Sequence, residues 1–275
     1  SDFAYIFDNP VYDAEVSTVR GLLVALGVAK KQMKRYRIFL HRGTYDLGTT
    51  VMTEVPANVS LIGESMDATV VVNSPDPATL TSDNRSDATP TLYLAGNDTY
   101  LQDLTVKQAI DYGKGQITGQ AQAIRARGDR QVYKRVKLLG CQDTYYINKS
   151  TIRQYLEDCF IAGDVDFIYG DGTAFRNGCT IWYNNTTGGG YITAPNTPAD
   201  NPWGIVISHS TIDGPAAANG NFYLGRPWND SPSANFIGNT FNILPAAAGW
   251  AAMTSRKVLR FHEYGSVDAS GRLLD

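Results

Sequence analysis

Histidine and cysteine are scarce in this chain. Its 275 residues include three of each: His41, His209 and His262, and Cys141, Cys159 and Cys179. No Gly-x-Ser-x-Gly elbow is present, which argues against the common Ser-His-Asp hydrolases. His209 sits in a strand-like run and reads as structural. No Cys/His spacing suits zinc, and no Gly-x-x-x-x-Gly-Lys-Ser/Thr loop suits a nucleotide, so neither a metal nor another cofactor is expected. No stretch approaches the roughly 18 consecutive apolar residues of a membrane-spanning helix. Charged side chains are only 19% of the total and the formal net charge is −3. A nucleic-acid binder would show a basic footprint instead. Bulk charge would not hold a polyanion either, so an acidic substrate must be recognised by local groups. The opening SDFAYIFDNP lacks the basic and apolar regions of a signal peptide and reads as a mature N-terminus left by processing.

What the chain does have is glycine, tyrosine and turn chemistry, with 26 glycines and 16 tyrosines. Asn-x-Ser/Thr sequons begin at Asn58, Asn84, Asn97, Asn148, Asn184, Asn185 and Asn229. That number favours a glycosylated protein secreted to the extracellular space. The competing reading is that Asn, Ser and Thr are simply abundant in turns. One early segment is helical in pattern, with Val19, Leu22, Leu23, Leu26 and Val28 mainly on one face. After it come short β-rich runs that end in Gly, Asn or Asp.

These runs can be laid over one another. Tyr100, Tyr133, Tyr155, Phe175, Val206 and Phe236 form one column, and Val106, Leu139, Ile161, Ile181, Ile212 and Asn242 a second. Such self-similarity favours a solenoid in which each coil stacks its apolar residues on the next. The expected fold is an all-β, right-handed parallel β-helix, one domain over residues 1–275, with the early helix capping its N-terminal end. A β-sandwich is the alternative, since it too has short strands at regular spacing. Cys159 and Cys179 share a column, and stacked coils in a secreted protein would bring them together as a disulfide. Cys141 falls outside that pair and is expected as a buried thiol.

Asp143 and Asp166 are 23 residues apart, close to one coil. Stacked coils put equivalent positions about 4.8 Å apart. Two carboxylates that close cannot both ionise easily, so one can stay protonated as an acid while the other attacks. Arg226, in YLGRPW, could hold one of them ionised through its planar fork. Gln120 and Gln142 could supply amide donors to a developing oxyanion. Taken singly, each of these residues also has an ordinary structural reading, as a turn or a surface ion pair.

The segments GQAQAIR, CQDTYY, GDVDFIYG and YLGRPW, in that order, resemble the signature blocks of the pectin methylesterases (pectinesterases). The likeness covers nearly the whole chain, through RFHEYGS near the end. It implies a parallel β-helix without a cofactor, acting on methyl-esterified homogalacturonan (pectin) and releasing methanol and pectate; a monomer is expected because solenoid ends must be capped, although such ends could also pair. It implies Asp166 as the nucleophile, Asp143 as the acid and then base, and Gln142 with Gln120 as the oxyanion-stabilising amides. Arg226 would position the nucleophile. Tyr146, Tyr169 and Trp228 would line the cleft, and Thr91 would touch substrate. Three positions depart from the family's pattern: Tyr145 stands where Leu is common, Tyr169 where Phe is common, and Pro195 where Gln is frequent. The last puts subsite preference in doubt. Asp164 is the rival nucleophile, because strand alternation would point it to the same face as Asp166. The wording around the cysteines is closer to microbial than to plant members, and with the sequons favours a fungal secreted enzyme. The alternatives are a pectate lyase or polygalacturonase, whose acidic clusters and Gly-His-Gly segment are not found, and an inactive pectin-binding relative.

Overall fold

The computed structural model describes residues 12–112, 119–185, 189–253 and 259–274. The opening SDFAYIFDNP lies outside these. A helix, α1 (Val19–Lys30), comes first. Thr18 caps it, its side-chain oxygen accepting from the Gly21 N–H at 3.0 Å. Leu22, Ala25, Leu26 and Ala29 are buried, a spacing that keeps one helical face on the strands Ala14–Val16 and Tyr36–Leu40. Leu23 and Val28, expected on that face, are each 40% exposed, because rotation of about 100° per residue carries them to the flank.

Beyond α1 the chain winds as a parallel β-helix. Among the described residues, all strands named in the ladders pair in parallel, in one sheet of 17 strands and one of seven. The larger sheet is bent. Gln131–Leu139 pairs along its first half with Arg153–Glu157 and along its second with Phe160–Gly163. The bend is made by residues in the left-handed backbone region: Asp103, Arg135, Asp158, Gly178, His209, Gly238 and Gly265, one in each successive coil. His209 is therefore a corner residue, with φ +45° and its ring against the Ser208 hydroxyl at 3.1 Å.

The expected columns hold through the middle of the chain and slip at two coils. Tyr155, Phe175 and Val206 are in register, as are Ile161, Ile181 and Ile212. Tyr100 aligns with Val132, not Tyr133, and Val206 with Asn235, not Phe236. The same slip replaces Leu139 by Leu138 and Asn242 by Phe241. A shift of one residue exchanges the inner and outer faces of a strand. Accordingly Tyr133 and Phe236 are fully buried, while Tyr155 and Phe175 stack on the outside. The inner column holds one surprise. Arg176 lies between Leu156 and Ile207, fully buried, its guanidinium 5.0 Å from the centre of the Tyr145 ring.

The expected disulfide is not present. Cys159 and Cys179 lie side by side on successive coils, as the spacing implied, but as thiols. The Cys159 thiol points to the Glu157 carbonyl at 3.4 Å and that of Cys179 to the Leu156 carbonyl at 3.5 Å. Cys141 is buried, its thiol donating to the Asp111 carbonyl at 2.9 Å.

The seven-stranded sheet carries the site. Its middle strands are Ile124–Ala126, Tyr145–Ile147, Val165–Gly170 and Gly190–Pro195. Gly170 ends the third of these with φ +127°, where a Cβ would come 2.1 Å from the Ile147 carbonyl oxygen. No other residue fits that backbone and that contact. Gly170→Ala is expected to destabilise the fold by about 2–4 kcal/mol, from backbone strain together with overpacking. The urea midpoint of the variant measures it, and an unchanged midpoint would contradict this packing.

Candidate active site

Gln120, Gln142 and Val165 stack through parallel backbone bridges, Gln120 and Gln142 ahead of their strands of the seven-stranded sheet and Val165 as the first residue of its own. The next residue in each of the last two coils is an aspartate: Asp143 after Gln142 and Asp166 after Val165. Both adopt the left-handed backbone, with φ +61° and +49°. Aspartate tolerates that conformation better than most residues with a Cβ. The register continues through Tyr145 opposite Ile168, so the two aspartates occupy equivalent places in adjacent coils. Such neighbours have backbones about 4.8 Å apart. On the other side of Asp166 the register shifts between Val165 and Ile168, a bulge that re-aims the side chain.

Asp164 goes elsewhere. It precedes the strand, and the irregular backbone at Asp166 breaks the alternation that would have put both on one face. It is buried and absent from the lining of the cleft. Burial, reinforced by the Asp111 charge, pushes its carboxyl up to about 6.

Arg226 reaches the site from two coils further on, just past the strand Phe222–Gly225. Its backbone N–H donates to the Thr193 carbonyl at 3.0 Å. Its guanidinium forks onto Asp166, with Nε to Oδ1 at 2.9 Å and Nη2 to Oδ2 at 2.6 Å. The Tyr191 ring lies 4.2 Å from the guanidinium carbon on one side, and the Trp228 ring 5.8 Å away. The paired carboxylate is only 2% exposed, so water screens this pair little.

The two carboxyls thus have different surroundings. Burial pushes Asp166 up from its ordinary value, while the Arg226 hydrogen bonds and charge hold it down. Burial also pushes Asp143 up, well above the usual carboxylate range; the Asp166 charge adds to this and Arg226 only partly opposes it. Arg226 therefore favours the carboxylate form of Asp166 directly and offsets the raised proton affinity of Asp143 only in part.

Both aspartates open into a cleft of about 240 Å³, lined also by Gln120, Gln142, Tyr146, Tyr169, Trp228, Ser86, Gly170 and Asn196. Tyr146 and Tyr169 stack with centroids 4.3 Å apart, and Trp228 is 43% exposed at the rim. Such faces suit the C–H surfaces of sugar rings. The sequence residues brought together are Asp143, Asp166, Arg226, Gln120, Gln142, Tyr146, Tyr169 and Trp228. Thr91 is not among them. It is fully buried, its hydroxyl 2.6 Å from Asn73 Oδ1 and 2.8 Å from the Lys107 carbonyl, so it cannot touch a substrate. The residue from that part of the chain that does enter the cleft is Ser86, on the short helix α2 (Arg85–Ala88). Ser86 and Asn196 carried no signal in the sequence beyond ordinary loop composition. Among the described residues, no three His, Cys, Asp or Glu side chains group as a metal site.

The sequons scatter over the coil. Asn84 and Asn97 are exposed, whereas Asn58, Asn148, Asn184 and Asn229 are half-buried. Asn185 is 7% exposed, too enclosed to carry a glycan in the folded chain.

Comparison with known proteins agrees with this geometry. The pectinesterase family model matches residues 13–273. Pectinesterase A of Emericella nidulans is 31% identical over 275 residues, covering 94% of this chain and 78% of that protein. Probable pectinesterase/pectinesterase inhibitor 6 of Arabidopsis thaliana is 31% identical over 253 residues, covering 88% of this chain and 43% of that protein; the chain spans less than half of this plant relative. Among solved structures, pectin methylesterase PemA from Erwinia chrysanthemi has a TM-score of 0.79 at 25% identity, covering 96% of this chain and 91% of that one.

The electrostatics of Asp143 have a measurable sign. An unfolded aspartate titrates near pH ~3.9. The folded value is raised, so the native state binds the proton more tightly than the unfolded chain, and stability falls as pH rises from the unfolded value through the folded one. Asp143→Asn removes that penalty. The stability advantage of the variant over the parent is expected to grow from about pH 4 toward neutrality, by up to about 1.4 kcal/mol per pH unit. Urea unfolding at several pH values tests this; an advantage that shrinks with pH would contradict it.

Proposed function

The chain belongs to the pectinesterase family of carbohydrate esterases, and from that premise we propose that it hydrolyses the methyl esters of galacturonate units in pectin, giving pectate and methanol. The observation that carries the mechanism is the asymmetry of the carboxyl pair, since Arg226 forks onto Asp166 and leaves Asp143 with a raised proton affinity. In this reading the Asp166 carboxylate attacks the ester carbonyl carbon. Charge builds on the carbonyl oxygen, where the Gln120 and Gln142 amides, stacked at one edge of the cleft, donate to it. Asp143 gives its proton to the methoxy oxygen as that C–O bond breaks, and methanol leaves. The galacturonyl group is then joined to Asp166 as an anhydride. Water attacks it while the Asp143 carboxylate takes the water's proton. The anhydride bond breaks, Asp166 returns as a carboxylate, and Asp143 is protonated again.

Pectin is the macromolecular substrate in this proposal and the tyrosine pair with Trp228 its stacking surface. The working unit in this reading is a single β-helix domain over residues 1–275, acting as a monomer outside the cell. Among the described residues no helix is long and apolar enough to cross a membrane. The exposed Asn84 and Asn97 are the glycan positions this reading favours.

Methanol release from highly methylated pectin tests the function. The parent is expected to release it, and Asp166→Asn to lose at least about a thousandfold in rate with the fold intact by circular dichroism. No release by the parent at any pH from acidic to neutral would overturn the reading. Equal release by both would move the nucleophile off Asp166. Arg226→Met removes the group that holds Asp166 ionised, so the acidic limb of the pH–rate profile is expected to move to higher pH. An acidic limb that stays in place would contradict the role given to Arg226.

A further inference from the structure

The amide edge of the cleft has a support that the ester chemistry above does not use. Gln120 lies ahead of its strand, Ile124–Ala126, and is bridged on one side to Gln142. There the Ala121 N–H donates to the Gln142 carbonyl at 3.1 Å. The other side of this stretch faces the preceding coil. The ladder between Leu92–Leu94 and Ile124–Ala126 is continued back to Gln122, whose carbonyl accepts from the Thr91 N–H at 3.2 Å. Two residues earlier the preceding coil offers α2 in place of a strand. A backbone carbonyl that loses its ladder partner needs another one. Arg85 supplies it, its Nε donating to the Gln120 carbonyl at 3.0 Å.

The guanidinium fits closely. Gly119 has φ +117°, and a Cβ on it would come 2.7 Å from Arg85 Nε. The Arg85 main chain is tied to the same stretch. Its carbonyl accepts from the Thr89 hydroxyl at 2.8 Å, and Thr89 Oγ1 in turn accepts from the Gln122 N–H at 3.2 Å. A separate tether, Asp87 to Arg125 Nη1 at 2.9 Å, holds α2 to the sheet without touching Gln120. We propose that Arg85 is a positioning residue for the ester cleavage: by holding the Gln120 carbonyl it fixes where the Gln120 amide meets the cleft, and so how well that amide donates to the oxyanion. The proposal rests on the pectin reading for the role of Gln120, whereas the Arg85–Gln120 bond stands on its own geometry. An oxyanion donor acts only as charge develops, so loose placement costs turnover and leaves substrate binding alone.

Arg85→Leu, Gln120→Ala, their double variant and Asp87→Asn decide it, assayed on methyl-esterified oligogalacturonides. Complete removal of an oxyanion donor costs about 100- to 1,000-fold in kcat, and Gln120→Ala is expected in that range. Arg85→Leu is expected to lower kcat about ten- to thirtyfold with KM within about twofold. The double variant should match Gln120→Ala within about twofold, because Arg85 acts through Gln120. Asp87→Asn loosens α2 but spares the Gln120 carbonyl, and its kcat should stay within about twofold of the parent. Multiplicative losses in the double variant, a rise in KM in place of the fall in kcat, or an equal loss in Asp87→Asn would overturn the proposal. The carbon-13 signal of the Gln120 carbonyl reads the bond without the reaction. A hydrogen bond deshields a carbonyl carbon, so Arg85→Leu should move that signal upfield. If the parent releases no methanol and the signal still moves, the pectin reading has failed and the positioning contact stands. A signal that does not move refutes the contact whatever the activity.

Discussion

Everything at the cleft depends on the backbone ladder that sets each coil directly on the one before. Parallel pairing of Gln142 with Val165 and of Tyr145 with Ile168 leaves no freedom in where the intervening residues go. Asp143 and Asp166 are brought together by that register and by nothing else, since no side-chain bond links them. The same ladder lays Gln120 against Gln142 and Tyr146 against Tyr169. Rows of equivalent residues in successive coils thus become the amide edge, the acidic centre and the aromatic wall of one cleft. The corners take part too. Each coil turns through left-handed residues, and the two aspartates are themselves such corner residues. A corner takes its side chain out of the strand's in–out alternation, here toward the cleft, where both carboxyls stay largely buried.

Register alone would give two equivalent acids, and equivalent acids cannot divide the work. Arg226 supplies the difference. It comes from a later coil, is steadied by the Tyr191 ring and the Thr193 carbonyl, and engages one carboxyl with both nitrogens of its fork. Burial raises the proton affinity of both aspartates, and the arginine offsets it for one. The partnered carboxylate in turn raises its neighbour. Low exposure makes these opposing effects large, since solvent screens them poorly. In the proposed mechanism, acid and nucleophile are told apart by where that one cation sits.

Much of this was legible in the sequence. The β-helix, the helix before it and the adjacent cysteines followed from local pattern and spacing, and so did Asp143, Asp166, Arg226, Gln120 and Gln142 as candidates, whereas Tyr146, Tyr169 and Trp228 came only from the resemblance to the pectin methylesterases. What failed did so for physical reasons. The columns slipped by one at Tyr133 and Phe236 because a strand's period of two hides which residue turns a corner. Asp164 looked equivalent to Asp166 because alternation assumes a regular strand, and the backbone there is bulged and left-handed. Thr91 was expected to touch substrate only from the family resemblance, but its hydroxyl is used inside the β-helix. Ser86 was missed because α2 is a short insertion whose placement depends on two arginine contacts to distant strands. Arg176 inside an otherwise apolar column could not be anticipated from periodicity at all.

The central claim is that the two aspartates, equivalent by register, are unequal in proton affinity. The most direct measurement is a carbon-13 NMR titration of the protein with its aspartate carboxyls labelled, the two signals being assigned from Asp143→Asn and Asp166→Asn. The account predicts that the Asp166 carboxyl ionises at the lower pH and that Asp143 keeps its proton after Asp166 has lost its own. Ionisation of Asp143 first, or of both at the same pH, would contradict it.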